Sequence, residues 1–137
     1  MSTPWNYPSP GIGNVGSYLI SGDPFLSSSA LNGTQTNNGE IKITFPKVTR
    51  SVTIVNTGSS LPIYVHFDSR ANADVIGKGF YVEVTNQYDA WAFNCRCKEI
   101  YVSMKNAVAG GGFALSAELT NIPDTSMYTL TGAGINT

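Results

Sequence analysis

Residues with the chemistry for catalysis are few in this chain, and they are not spaced as a catalytic set. His66 is the only histidine, so a Ser-His-Asp or Cys-His relay must use it. Alternation along its predicted strand turns His66 away from Val65 and Phe67, toward solvent or a partner, and we expect an ordinary surface histidine. The glutamates of the predicted strands face outward, and no two are placed at the separation of a glycosidase pair. The sequence therefore predicts no enzymatic activity.

Two groups of ligand-type residues fall short of a metal site. Cys95, Cys97 and His66 supply three soft ligands for zinc, but a fourth would have to be a carboxylate or water. Residues 68–74 carry oxygen ligands at positions one, five and seven of a calcium-type loop that lacks the glycine and the closing glutamate. Two cysteines one residue apart in a strand are separated by about 6.5–7 Å between Cα atoms, at or past the limit for a disulfide. We expect two reduced thiols, no metal and no other cofactor.

A third group of residues suits sugar binding. Tyr88, Asp89, Trp91 and Asn94 lie close together in the sequence, near a predicted turn. An aromatic ring stacks on the apolar side of a pyranose, while carboxylate and amide groups bind its hydroxyls. The other interpretation is that Trp91 and Phe93 share one face of a strand and anchor the core. A lectin-like or receptor-binding module, such as a fibre or head-binding protein, is therefore the second function that the sequence allows.

Short strands must position these residues, because no helical periodicity of useful length occurs. Alternation of apolar and polar residues predicts strands at 40–45, 50–56, 61–67, 79–85, 90–94, 97–104 and 112–119. The first two of these are able to pair as a hairpin. The connections are too short and too polar for crossover helices. We predict an all-β fold, a single antiparallel β-sandwich that is jelly-roll-like and has about seven or eight strands.

The chain is unevenly organised. We predict an extended N-terminal arm at residues 1–38 with one candidate strand at 17–21, the β-sandwich module at 39–120, and a C-terminal tail at 121–137 with room for one more strand. An arm that orders on contact can wrap a large surface; alternatively, the arm folds back on its own sandwich. Apolar and aromatic side chains spaced through the arm are candidate anchors for a partner: Trp5, Tyr7, Ile12, Tyr18, Leu19, Phe25 and Leu26.

Charge is scarce. Charged residues make up 12% of the chain and the formal net charge is −1, and that share is about half the usual one. A surface covered by Ser, Thr, Asn and Gly suits a protein that works inside an assembly. No cluster of Lys and Arg is present, so we expect no direct binding to nucleic acid. The first residues have neither a basic region nor an apolar run, and we expect no secretory signal and no membrane span.

Three regions of the sequence carry a resemblance. GNVGSY with SGDPF in residues 13–25, FPKVTRSV at 45–52 and FNCRCKEIY at 93–101 resemble small structural proteins of virus particles, the tailed-phage-like capsid decoration, cement or minor capsid proteins with a β-sandwich fold. The resemblance implies a non-enzymatic virion structural protein, made in the host cytoplasm, that stabilises a capsid through its arm and sandwich surface. It also implies the partners: the major capsid protein and neighbouring copies of the chain, oligomeric on the particle.

Overall fold

The described part of the chain consists of strands joined by short turns. The computed structural model describes residues 22–137 and Ile12. The strands are β1 (Pro24–Leu31), β2 (Ile41–Thr44), β3 (Lys47–Asn56), β4 (Ile63–His66), β5 (Val82–Val84), β6 (Ala90–Phe93), β7 (Glu99–Met104) and β8 (Gly111–Pro123). The short helical elements are α1 (Thr36–Gly39), α2 (Ala73–Gly77) and a 3-10 turn at Asp124–Ser126. The predicted all-β fold is confirmed.

The strands form two antiparallel four-stranded sheets that pack against each other. Sheet 1 has the order β1-β8-β3-β6, and sheet 2 has the order β2-β7-β4-β5. The first strand pairs with the last, the second with the seventh, the third with the sixth and the fourth with the fifth. This nested pairing is one long hairpin rolled into two layers, which is the topology of an eight-stranded jelly roll. The predicted sandwich therefore has jelly-roll connectivity.

The core lies between the two sheets and follows the alternation in the sequence. Val52 and Ile54 of β3, Ile100 and Val102 of β7, and Ile63 of β4 are all fully buried. Each such side chain contributes about 1.5–3 kcal/mol relative to an exposed one. A second, smaller cluster of Val48, Ile122 and Met127 lies beside the end of β8. The apolar residues that alternate in the sequence of these strands are thus the ones that face the core.

The predicted hairpin between the first two strands of the module is wrong. β2 belongs to sheet 2 and pairs with β7, whereas β3 belongs to sheet 1 and pairs with β6 and β8. Phe45 still donates its backbone N–H to the carbonyl of Lys98 at 2.8 Å, but Pro46 has no N–H to offer and ends the ladder. The chain therefore crosses from one sheet to the other at this point.

The sandwich begins earlier and ends later than the sequence indicated. Residues 24–31 were predicted to be arm, but they form β1, which pairs with β8 from Pro24↔Glu118 to Leu31↔Gly111. The alternation of β1 is hidden because serines at 27 and 29 share the inward face with Phe25 and Leu31. β8 continues to Pro123, and residues 128–137 contain no strand. The predicted strand at 17–21 lies outside the described residues.

Exchanging neighbouring residues of β1 for alanine tests this placement. Phe25 packs edge-to-face on Phe45 with ring centroids 5.1 Å apart, while Leu26 is 77% exposed. We expect Phe25→Ala to lower the free energy of unfolding by about 2–3 kcal/mol, because it leaves a cavity beside Phe45. Leu26→Ala is the matched control, with an expected change of less than about 0.5 kcal/mol. Urea unfolding measures both, and equal effects of the two changes would contradict the placement of β1.

Candidate interaction surface

The histidine is buried, and the predicted surface position is wrong. His66 is 0% exposed. Its Nδ1 lies 2.7 Å from the backbone carbonyl of Asp68, so this nitrogen carries the proton. Nε2 then accepts a hydrogen bond from the Ser103 hydroxyl at 2.9 Å. Alternation failed here because the segment between β4 and β5 folds over the outer face of sheet 2, so both faces of β4 are buried.

The contact between Ser103 and His66 resembles part of a serine hydrolase relay, but its surroundings are structural. Both side chains are fully buried, and the partner of Nδ1 is a backbone carbonyl rather than a carboxylate. Arg70 donates to the Ser103 hydroxyl at 3.1 Å and to the carbonyl of Met104 at 2.8 Å. A substrate does not reach an enclosed hydroxyl, so we assign this network the role of holding the covering segment on sheet 2.

Glu40, the residue just before β2, completes this network. Its carboxylate accepts hydrogen bonds from the Ser69 hydroxyl and from the backbone N–H of Arg70, both at 2.7 Å. The ring of Tyr64 stacks on Tyr81 with centroids 4.0 Å apart. These contacts fix the segment at its start and at its end.

The cysteines lie in an irregular connection between β6 and β7, not in a strand. Both are free thiols, with Cys97 buried and Cys95 half-buried. The Thr49 hydroxyl donates to the Cys95 carbonyl at 3.0 Å, accepts from the Cys97 backbone N–H at 3.1 Å and lies 3.2 Å from the Cys97 Sγ. A hydrogen bond with Cys95, together with burial, raises the pKa of the Cys97 thiol. These contacts anchor the connection to β3.

The residues considered for metals do not meet as ligands. In the part of the chain that the structure describes, no group of three or more His, Cys, Asp or Glu side chains is arranged to hold a metal ion. In the calcium-like loop, the Asn72 side chain accepts from the backbone N–H of Asp74 at 3.1 Å and caps α2. Asp74 pairs with Lys78 at 3.4 Å. The side chains of Asn72 and Asp74 therefore serve the local fold.

The four candidate sugar-binding residues are spread along β6. Tyr88, which is 73% exposed, and Asp89 lie in the turn before this strand. Asn94 follows the other end of β6, three positions after Trp91, or about 10 Å away along a strand. The ring of Trp91 is tilted against Phe93 with centroids 6.3 Å apart. The structure thus brings the rings of Trp91 and Phe93 together, but it does not bring Asn94 close to Tyr88 and Asp89.

The predicted arm anchors have different surroundings. Trp5, Tyr7, Tyr18 and Leu19 lie outside the described residues. Ile12 packs on the cluster of Val48, Ile122 and Met127, and its carbonyl accepts from Arg96 at 3.3 Å. Phe25 packs inward on the core of its own sandwich. Leu26 is the most exposed large apolar residue among those that the structure describes.

Leu26 lies on a smooth outer surface of sheet 1. Two rows of outward-facing residues cross all four strands in register. We call these rows the sheet-1 face; the first is Leu26, Ser116, Thr53 and Ala92, and the second is Ser28, Ala114, Val55 and Ala90. A shallow depression of about 500 Å³ lies over its β1, β8 and β3 part. The face is made of small side chains around one exposed leucine.

The ionisable groups of sheet 1 are confined to one end and paired with each other. Arg50 lies 3.7 Å from Glu118, and Lys47 lies 3.9 Å from Asp23. The rest of the four strands has no charged residue. The two rows of the sheet-1 face therefore carry no charge to desolvate, and the nearest charged residue within the four strands is Glu118, two residues from Ser116 along β8.

The sequence reasoning did not find this face, although a signal for it exists. Alternate residues in three strands are small or hydroxyl-bearing where a solvated strand usually carries charge. The run Ser27-Ser28-Ser29-Ala30 falls instead within the predicted extended arm. Small outward residues are easily mistaken for a linker when their inward neighbours are also serines.

Comparison with known proteins adds no family to this description. Protein-family models give no match to the chain, and a search of curated proteins gives none either. Among the described residues there is no helix with the length and apolar character needed to cross a membrane. The functional argument therefore rests on the surfaces of the molecule.

Acid titration tests the buried histidine. Burial lowers the pKa of His66 below its usual value of 6.5, so the unfolded chain takes up a proton more readily than the folded one. We expect the free energy of unfolding to be at its full value above pH 6.5 and to decrease as the pH falls below it. Urea unfolding from pH 7.5 to 5 measures this.

The control is His66→Gln, which keeps a polar side chain but does not titrate. The pH dependence of the variant should be shallower than that of the native chain in the same window. Glu40, Asp68 and Arg70 face the imidazole and remain unchanged in both proteins. Parallel curves for the two would contradict the assignment to His66.

Proposed function

We propose that this chain is a non-enzymatic structural protein of a virus particle, a decoration, cement or minor capsid protein, that binds the coat-protein lattice through its sheet-1 face. The observation that carries the proposal is the uncharged face itself, two rows of small residues around Leu26. A partner can cover these side chains at a low desolvation cost, because none of them is charged. The position of Ser103 and His66, enclosed under the segment between β4 and β5, favours this reading over catalysis.

The topology supports the proposal at the level of analogy. Eight-stranded jelly rolls with two Greek keys are used by viral capsid domains and by lectins. A fold alone does not determine a function, so the analogy narrows the choice to the two functions that the sequence allowed. The resemblance of residues 13–25, 45–52 and 93–101 to small virion proteins favours the first of them.

The size of the face indicates that it does not act alone. Four strands at about 4.8 Å and two rows of outward residues give a patch on the order of 250 Å². A stable interface buries about 800 Å² on each partner. We therefore expect additional contacts from the candidate anchors Trp5, Tyr7, Tyr18 and Leu19, with the coat protein as the partner.

A charge placed in the middle of the face tests the proposal. Ser116 is exposed on the central strand β8, and a glutamate there would have to be desolvated in the complex. We expect Ser116→Glu to reduce the share of the full-length chain that co-sediments with particles by about tenfold or more, since a buried unpaired charge costs at least about 1.4 kcal/mol. Density-gradient sedimentation, with the coat protein identified by mass spectrometry, measures this.

The matched control is Ser59→Glu, the same change at an exposed turn away from the sheet-1 face. This variant should co-sediment as the native chain does. A native chain that stays at the top of the gradient, or a Ser116→Glu variant that sediments normally, would contradict the proposal.

The lectin-like alternative keeps one supporting observation, the exposure of Tyr88 and of Trp91 at 73% and 47%. Glycan binding by the native chain that is lost in Trp91→Ala, with no association with particles, would favour the alternative.

A further inference from the structure

The four sheet edges of the sandwich differ in how they are protected. The edges of sheet 2 each carry a charged residue inside the strand, Lys42 in β2 and Glu83 in β5. The edges of sheet 1, β1 and β6, carry none. A charge within an edge strand hinders pairing with another chain, and an uncharged, regular edge invites it. β1 has eight residues and β6 only four, so β1 is the longer unprotected edge.

The free side of β1 carries a regular set of backbone groups. Leu119 donates its N–H to the carbonyl of Asp23 at 2.8 Å. Because hydrogen bonding alternates along an antiparallel strand, the odd-numbered residues of β1 bond to β8. The N–H and C=O groups of Leu26, Ser28 and Ala30 therefore point away from the sheet. All three residues are exposed, and no strand among the described residues pairs with this side.

We propose that two copies of this chain associate through β1, which pairs antiparallel with β1 of the second copy about a two-fold axis at Ser28. In this register Leu26 lies opposite Ala30 of the second copy, and Ser28 lies opposite its own equivalent. The outward amides of these residues then exchange hydrogen bonds across the axis. Sheet 1 becomes one eight-stranded sheet.

Charge and shape both favour a second copy as the occupant. A two-fold axis places like residues close together, so self-pairing of an edge with an internal charge is repulsive. β1 has no charge along its length, and pairing with itself brings no like charges together. The large Leu26 meets the small Ala30 on the outer face. Pro24, which has no N–H, lies outside the ladder in this register.

The inference goes beyond the proposed function, because it requires no particle. It also has a consequence for that function. Two copies joined at β1 place their sheet-1 faces side by side, so the uncharged patch doubles to on the order of 500 Å². A dimer would therefore present a larger part of the area that a stable interface needs.

Introducing a charge of either sign at the two-fold axis tests the inference. The full-length native chain should sediment at twice its mass of 14.6 kDa at micromolar concentration. Ser28→Lys and Ser28→Glu, measured separately, should each weaken self-association by about tenfold or more, because two like charges meet across the axis. An equimolar mixture of the two variants should restore the dimer, since opposite charges then meet. Analytical ultracentrifugation reports all three results.

The matched control is Ser116→Lys, which changes the neighbouring central strand on the same face. It should leave the dimer intact. Because this measurement contains no particles, a dimer without particle binding would contradict the proposed function alone. Particle binding by a strictly monomeric chain would contradict the dimer alone.

Hydrogen exchange of the native chain gives a readout that does not depend on any variant. The amides of Leu26, Ser28 and Ala30 should exchange more slowly as the protein concentration rises, while those of β2 should not change. A monomeric native chain, charge variants that dimerise as tightly as the native chain, or a mixture that does not recover would overturn the inference.

Discussion

The pairing of β8 on both sides is the constraint on which the rest of the structure depends. This strand of thirteen residues lies between β1 and β3; its pairing with β1 is regular, and its pairing with β3 is regular from Ser51 to Asn56, with register shifts between Lys47 and Ser51. Its first residues must be small. A Cβ at position 112 would lie 2.8 Å from the Thr57 hydroxyl and 3.2 Å from the Ser29 carbonyl, so glycine lets β1 lie this close to β8 without a shift of either neighbour. The sheet-1 face and its free edge both depend on this pairing of β1 with β8.

The two sheets differ because one segment covers only one of them. The chain between β4 and β5 folds over the outer face of sheet 2, where Glu40 and Arg70 hold it and where His66 and Ser103 become buried. Sheet 1 receives no such cover from the described residues, and its outer side chains are correspondingly small and uncharged. The buried polar network and the bare face are therefore two results of the same asymmetry. His66 and Ser103 help to hold the cover in place, and the uncharged sheet-1 face has no histidine.

The sequence predicted the architecture where one face of a strand is apolar and the other polar, as in β2, β3 and β7. It failed where that contrast is absent. β1 has serines on its inward face, so its sequence resembles that of an arm. β4 is buried on both faces, so His66 is buried although it points away from the core between the sheets. The alternation pattern also does not predict which strands pair. Pro46 indicates that a strand ends there, but it does not indicate that the chain crosses to the other sheet. The candidate surface was missed for a related reason, since alternation identifies inward residues and does not distinguish a small outward residue from a linker.

The low overall charge of the chain does not by itself explain the bare edge of sheet 1. A charge-poor sequence has few residues with which to protect four edges, yet Lys42 and Glu83 stand inside the two short edge strands of sheet 2. Each is held by an ion pair, Lys42 with Glu99 at 3.0 Å and Glu83 with Lys105 at 2.9 Å. The longest edge among the described strands, β1, has neither a charge nor a bulge, and its inner side chains Phe25 and Leu31 pack on the core. Phe25 and Leu31 thus serve the fold, while the outward N–H groups of Leu26, Ser28 and Ala30 have no partner strand among the described residues. Of the two uncharged edges, β1 with eight residues offers a longer ladder than β6 with four, which favours the proposed association through β1.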